Sequence, residues 1–246
     1  MTLTAATAAA LIIGNELLSG KIAEANLFEL ARLLRVQGIR LQRAVLVPDE
    51  IEVIEGEIRS LRQSADVVFT SGGVGPTHDD VTVAAAARAF GVDVVPDPLL
   101  TEMLREYYGE RCNEAHLRMA LVPRGATLLR SADVRWPAIL MGNVFLLPGV
   151  PEIFRSKLPL IKSYVQGPEP FFSRAVYLSL EEPEITAALD STVPHHPDVE
   201  IGSYPQWVGS SYKTKVTFDG RRAAPVQLAS DEFLTKVERS AVVRVE

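Results

Sequence analysis

Short apolar runs alternate along this chain with longer stretches in which apolar residues recur at helical spacing. Residues 8–13 form the first run and read as a strand, followed by a loop over 14–20. A helix is predicted over 24–37, where Leu27, Leu30, Ala31 and Leu34 share a face and Gly38 supplies the stop. Residues 41–47 read as a second strand, 51–64 as a helix with Ile51, Ile54, Ile58 and Leu61 on one side, and 67–69 as a buried central strand. A helix over 81–90 ends at Gly91, and 92–95 is a short strand. Helical stretches follow over 98–111 and 114–121, then extended segments over 126–130 and 138–147. A helix over 152–164 contains Pro159, which is expected to kink or end it. Strands alternating with helices predict a mostly parallel sheet covered on both faces, a three-layer α/β/α domain.

The segment 167–170, with Pro168 and Pro170, reads as a linker, giving a first domain over 1–167 and a second over 168–246. The second has a strand at 173–180, a helix at 183–189, an extended pair at 200–204 and 212–218, a helix at 230–241 and a last strand at 242–245. It is read as a small α+β unit.

Composition narrows the function classes. A length of 246 residues suits one large domain plus a small one, and an apolar share of 47% is that of a folded globular protein. Cys112 is the only cysteine, which excludes an intramolecular disulfide and a cysteine-based metal site, and it is read as a small hydrophobe. A net charge of −6 argues against a nucleic-acid partner. No apolar run approaches the ~20 residues that span a membrane, and 5–13 lack a basic flank and read as a strand, so no membrane association and a cytoplasmic location are expected.

The chemistry concentrates between Val67 and Thr82. A buried strand runs into Gly72, Gly73 and Gly75, which let backbone N–H groups approach a ligand, and Pro76 stiffens the loop exit. The helix that follows can hold an anion at its N-terminus, at the sheet edge where α/β proteins place ligands. Asp79 and Asp80 beside such an anion suggest a divalent cation, Mg²⁺ first, bridging carboxylate and phosphate. The alternative is a plain turn with an Asp as helix cap. The run is neither a dinucleotide G-x-G-x-x-G fingerprint nor a P-loop, since no Lys follows the last glycine.

Gly72-Gly73-Val74-Gly75-Pro76-Thr77-His78-Asp79-Asp80-Val81-Thr82 resembles the signature of the CinA-type (competence/damage-inducible) branch of the molybdopterin-binding, MoaB/MogA-like superfamily. Ile13-Gly14-Asn15-Glu16-Leu17-Leu18-Ser19-Gly20 with Asn26 resembles that family's first motif, and Val47-Pro48-Asp49 its second. Asn143 through Glu152 is similar to its fourth, and Gly202-Ser203-Tyr204-Pro205 to a C-terminal one. The Thr-His-Asp-Asp and Asn-Val-aromatic-Leu segments resemble the stand-alone members and the molybdopterin-binding-like domain of eukaryotic FAD synthases most. The second unit is similar to the KH-like domain of CinA proteins, with the family's Gly-x-Glu-Ser turn replaced by Glu181-Glu182-Pro183-Glu184 and no basic Gly-x-x-Gly loop of the RNA-binding kind. The nicotinamide-nucleotide deamidase domain that CinA proteins often carry downstream has no counterpart in these residues.

The resemblance implies metal-dependent hydrolysis of a nucleotide diphosphate linkage, as in ADP-ribose or FAD, and a homo-oligomer. The catalytic candidates are Asp80, Asp79, His78 and Glu16, with Asp79, Asp80 and Glu16 as metal ligands. His78 could donate to a phosphate oxygen or act as a general acid. The ligand-binding candidates are Gly14, Asn15, Asn26, Ser71, Gly72, Gly73, Gly75, Pro76, Thr77, Thr82, Pro148, Gly149 and Glu152. Asp49 fits a site role or a helix cap equally. His195 and His196 have no third metal ligand in reach along the sequence, and Trp136 and Trp207 are read as packing residues. The rival reading is a protein that binds molybdopterin or a related pterin phosphate without hydrolysis; a regulatory scaffold acting through the second unit is a third.

Overall fold

The computed structural model describes residues 2–132, 134–206 and 211–246, so Trp207 lies outside the described residues. The chain forms two compact units, Met1–Pro168 and Glu169–Glu246.

The first unit opens with β1 (Leu3–Thr4), β2 (Thr7–Ile13), the single turn α1 (Asn15–Leu18), α2 (Asn26–Val36), β3 (Arg40–Val47), α3 (Ile51–Ser64), β4 (Val67–Ser71) and α4 (Thr82–Phe90). It continues with β5 (Val94–Pro96), α5 (Pro98–Tyr108), α6 (Glu114–Arg118), β6 (Leu121–Pro123), β7 (Thr127–Ser131), β8 (Val134–Met141), β9 (Val144–Leu146), α7 (Pro151–Tyr164) and β10 (Val165–Gln166). The main sheet has the order β3-β2-β4-β9-β8-β7. Its first four strands are parallel, and β8 and β7 close one edge antiparallel.

Alternation along β2 explains the layers. Ala8, Ala10 and Ile12 pack with Leu30 and Leu34 of α2 and Phe154 and Ile161 of α7. Ala9, Leu11 and Ile13 pack with Ile54 and Ile58 of α3 and Ala85 and Ala89 of α4 on the opposite face. A strand apolar on both faces is stable only between two helical layers. Phe69 of β4 stacks on Phe145 of β9 at 4.8 Å, which locks the two central strands side by side. The insertion between α4 and β7 pairs β5 with β6 and has its own core of Leu100, Leu104, Ala120 and Val122.

Several expectations are corrected. Residues 138–147 are not one extended segment but the hairpin of β8 and β9, turned at Gly142 with φ 59°. Pro159 neither ends nor interrupts α7, which runs to Tyr164. Its ring lies on the exposed side, where the carbonyl that loses its N–H partner can bond water. Glu24 does not belong to α2: its carboxylate sits before the helix and accepts from the N–H groups of Asn26 at 2.8 Å and Leu27 at 3.0 Å. Residues 114–121 are helical only to Arg118 before β6 begins.

The second unit runs β11 (Phe172–Leu178), α8 (Glu182–Thr192), β12 (Glu200–Pro205), β13 (Thr214–Gly220), α9 (Ala223–Thr235) and β14 (Val242–Val245). Its antiparallel sheet has the order β12-β13-β11-β14. This βαββαβ order is the split-βαβ, ferredoxin-like arrangement, so the α+β unit likened to a KH domain has a different connectivity. Val226, Ala229 and Phe233 bury one side of α9, which lies earlier than the helix expected at 230–241. Pro225 stands at its third position, where a missing N–H costs the helix no bond.

Candidate functional site

The parallel strands bring their carboxyl ends to one edge, and with them the loops after β2, β3, β4 and β9. The chain leaves β2 for α2 on one face and β4 for α4 on the other. Adjacent strands whose following helices lie on opposite faces leave a crevice between them, the switch point at which open α/β sheets bind ligands. A cavity of about 750 Å³ opens there. Small-molecule sites span roughly 300–1,000 Å³.

One end of the cavity is the glycine loop. Gly72 has φ 110°, and a Cβ there would lie 2.2 Å from the Ile13 carbonyl oxygen. Gly73 has φ 66°, and its Cβ would lie 2.2 Å from the Thr82 hydroxyl. Neither position admits a side chain. The Thr82 hydroxyl, fully buried, donates to the Gly72 carbonyl at 2.8 Å, and the Thr82 N–H donates to Gly73 at 2.9 Å. Thr82 therefore fixes the loop from behind and does not line the cavity. The Gly149 turn packs against Gly72, where an added Cβ would lie 3.2 Å from the Gly72 Cα.

Asp80 is not the cap of α4, whose N-terminus carries no side-chain cap. Its Oδ2 accepts from the Thr77 backbone N–H at 2.8 Å and from the Thr77 hydroxyl, closing the loop on itself. Asp79 stands beside it, more than half exposed, with His78 Nδ1 at 3.9 Å. The Asp79 carboxyl lies below the ordinary aspartate value, chiefly through the Thr77 hydroxyl and then its own backbone N–H. That hydroxyl has one proton, and the geometry directs it to Asp80.

The structure brings Glu16, Asn26, Ser71, Gly72, Gly73, Gly75, Pro76, Thr77, Asp79, Asp80, Pro148 and Gly149 to this cavity. Gly14, Asn15, His78, Thr82 and Glu152 do not line it. The His78 side chain is 95% exposed, and Glu152 is exposed on the first turn of α7. Asn15 acts through its backbone: its N–H donates to Asp49 Oδ2 at 2.7 Å. Asp49 thus anchors the loop after β2 and does not cap α3, whose N-cap residue is Glu50. Among the described residues no three of His, Cys, Asp and Glu gather as a metal site would require. Glu16, Asp79 and Asp80 line one cavity without forming such a cluster.

Sequence reasoning missed the far wall. Leu100, Leu104, Tyr107 and Tyr108 of α5, with Trp136 and Ile139 of β8, line the other end. Trp136 meets Tyr107 edge to face at 5.5 Å, so it packs and also faces the ligand space. Lys157, on α7, is 3% exposed and lines the cavity as well. Burial pushes its amine down to about 8. The helix over 98–111 was expected from the sequence, but nothing local showed that an insertion would fold back over the switch point. In the second unit, His195 and His196 bond Glu232 at 2.8 and 2.9 Å, which accounts for the pair.

A glycine loop and two adjacent acids thus stand at the switch point of a mostly parallel α/β/α sheet. The chain belongs to the family described as "Probable molybdopterin binding domain", which it matches over residues 9–165. Residues 170–246 match the domain described as "FAD synthase, middle domain". A protein of Archaeoglobus fulgidus is 33% identical over 221 residues, 90% of this chain and 93% of that protein. The "Probable FAD synthase" of Caenorhabditis briggsae is 29% identical over 240 residues, 87% of this chain and 46% of that protein. The crystal structure of the protein CinA from Thermoplasma acidophilum, of unknown function, superposes with a TM-score of 0.59 at 29% identity, covering 65% of this chain and 97% of that one.

Proposed function

We propose that the first unit binds a ring compound carrying a phosphate or diphosphate, and that it hydrolyses the phosphoanhydride of a dinucleotide such as FAD or ADP-ribose. The observation that carries this reading is the two-ended cavity: a glycine loop with two adjacent carboxylates at one end, aromatic and aliphatic side chains at the other. A diphosphate with a ring attached has the same division.

In this reading the backbone of Gly72 to Gly75 contacts the phosphoryl oxygens and stabilises charge that develops there. Tyr107, Tyr108 and Trp136 hold the ring and exclude water from that end. Asn26 and Thr82 keep the loops in register. A hard divalent cation such as Mg²⁺ takes one or two carboxylates and fills its remaining positions with phosphate and water. Asp79 and Asp80 both line the cavity beside the glycine loop, a donor set that suits that mode. Asp79 and Asp80 would hold the cation, which would neutralise phosphate charge and acidify bound water. The backbone N–H of Asp79 favours its carboxylate form.

Similarity to the nematode "Probable FAD synthase" makes FAD a first candidate ligand. A second reading, pterin-phosphate binding without turnover, is favoured by the Thr77 bonds that already engage Asp80 Oδ2. A panel of FAD, ADP-ribose and a pterin phosphate with Mg²⁺, assayed for AMP release, separates the two. Release of AMP from a dinucleotide supports hydrolysis. Tight pterin-phosphate binding with no AMP from any dinucleotide supports the second.

A further inference from the structure

Five carboxylates line the cavity, from Glu16, Glu24, Asp49, Asp79 and Asp80, and Lys157 is the only Lys or Arg among the lining residues. Its Nζ donates to the carbonyl of Trp136 and, at 3.3 Å, to that of Pro137. An ammonium group has three donors. Two are held by β8, which leaves a third for a ligand in the cavity that the residue lines.

The position of this cation decides which part of a ligand it meets. The ammonium is tied to β8, which lies two strands from β4 in the sheet. At the usual strand spacing that is about 10 Å from the strand that carries the glycine loop. The ring end of a nucleotide reaches that far. Trp136, whose carbonyl holds the ammonium, belongs to the aromatic wall that would hold the ring.

We propose that Lys157 sets the specificity of the ring end: its third N–H donates to a ring carbonyl, so the site takes an oxo-substituted heteroaromatic ring, as in a flavin or a pterin, in preference to adenine, which has no carbonyl oxygen. The proposal rests on the reading that the glycine loop takes the phosphate. The ammonium is buried, and a ring carbonyl replaces the hydration that burial removes. A ring without that oxygen leaves the donor unpaired, and sites built around a buried donor reject such analogues strongly.

The test compares FMN and AMP, which share a terminal phosphate and differ in the ring and in the sugar chain that joins it, so the effect of one substitution is read on each ligand. Equilibrium dissociation constants are measured for the wild-type protein and for Lys157→Met, whose unbranched side chain fills a similar space. The loss of a charged hydrogen bond predicts that FMN binds Lys157→Met about tenfold or more weakly, while AMP changes little. A second measurement needs only the wild-type chain. FMN affinity falls as the pH rises through about 8, where the free amine loses its proton, and AMP affinity does not follow it. The other titratable groups lining the cavity are the five carboxylates, Tyr107 and Tyr108. Equal effects on both ligands, or an FMN affinity indifferent to pH and to Lys157→Met, overturn the proposal while AMP binding keeps the phosphate site intact. If the wild-type chain binds neither ligand, the reading of the glycine loop falls and this proposal falls with it.

Discussion

The side-chain amide of Asn26 donates to the Ser71 hydroxyl at 2.9 Å. The same nitrogen donates to the Gly149 carbonyl at 2.7 Å, so one buried residue at the start of α2 ties the end of β4 to the turn after β9. Asn26→Ala strips both acceptors of their donor and is expected to cost about 1–3 kcal/mol. Asn26→Asp is expected to cost more at neutral pH, because a carboxylate cannot donate and would be a buried anion against two oxygens. Urea unfolding of the two variants checks the order; an Asp variant as stable as the wild type would contradict it.

The glycines form a graded series. Gly20 has φ 71° with nothing within 4 Å of an added Cβ, so Gly20→Ala carries only the left-handed backbone cost of about 1–2 kcal/mol. At Gly73 an added Cβ also displaces the Thr82 hydroxyl, and at Gly72 it meets the backbone of Ile13, which cannot swing away. Thermal melts should rank the losses Gly72→Ala above Gly73→Ala above Gly20→Ala.

The same residues show what the sequence could reveal. Residues 8–13 are apolar at every position, which demands helices on both faces, and the structure supplies them. The glycine loop was legible because Gly72 and Gly73 sit between a β-rich run and a helix former. The hairpin at Gly142 was not, since apolar residues flank the turn on both sides and conceal it. Trp136 and Lys157 were beyond local patterns, because the first depends on how an insertion folds back and the second on a lysine packing inward. A helix cap was an alternative for both Asp49 and Asp80, since each precedes a helix; a long-range bond from Asn15 takes the carboxylate of Asp49, and a bond within its own loop, from Thr77, takes that of Asp80.

Every residue lining the cavity lies in the first unit. A chain ended after Pro168 keeps β10, whose Val165 and Gln166 pair with Leu3 and Thr4. Such a chain should bind the same ligands within about twofold of the full-length affinity, a change below about 0.5 kcal/mol. Calorimetric titration checks this, and loss of binding by a folded truncation would make the second unit part of the site.

Acid stability is set in part by the second unit. Lys236, His195 and His196 surround Glu232 and hold its carboxyl at about 2, against an ordinary value of 4.5. A depressed carboxyl contributes stability above its unfolded value and loses it as the pH falls. The contribution should therefore be complete above pH 4.5 and disappear towards pH 2. Glu232→Gln should flatten the stability profile of the chain in that window. An unchanged acid slope would show that the cluster does not act on folding.

The most direct test of the catalytic account is the rate of AMP release from FAD or ADP-ribose, with and without Mg²⁺, by the wild-type chain and by Asp80→Asn. Asparagine keeps a side-chain oxygen for the Thr77 N–H and hydroxyl, so the melting temperature should hardly change. It lacks the charge that a hard cation prefers. The account predicts metal-dependent release by the wild type and a fall in kcat/KM of roughly a hundredfold in Asp80→Asn, a transition-state loss on the order of 3 kcal/mol. Wild-type turnover that ignores metal, or near-normal turnover in Asp80→Asn, would contradict it and leave Asp80 as a loop tie.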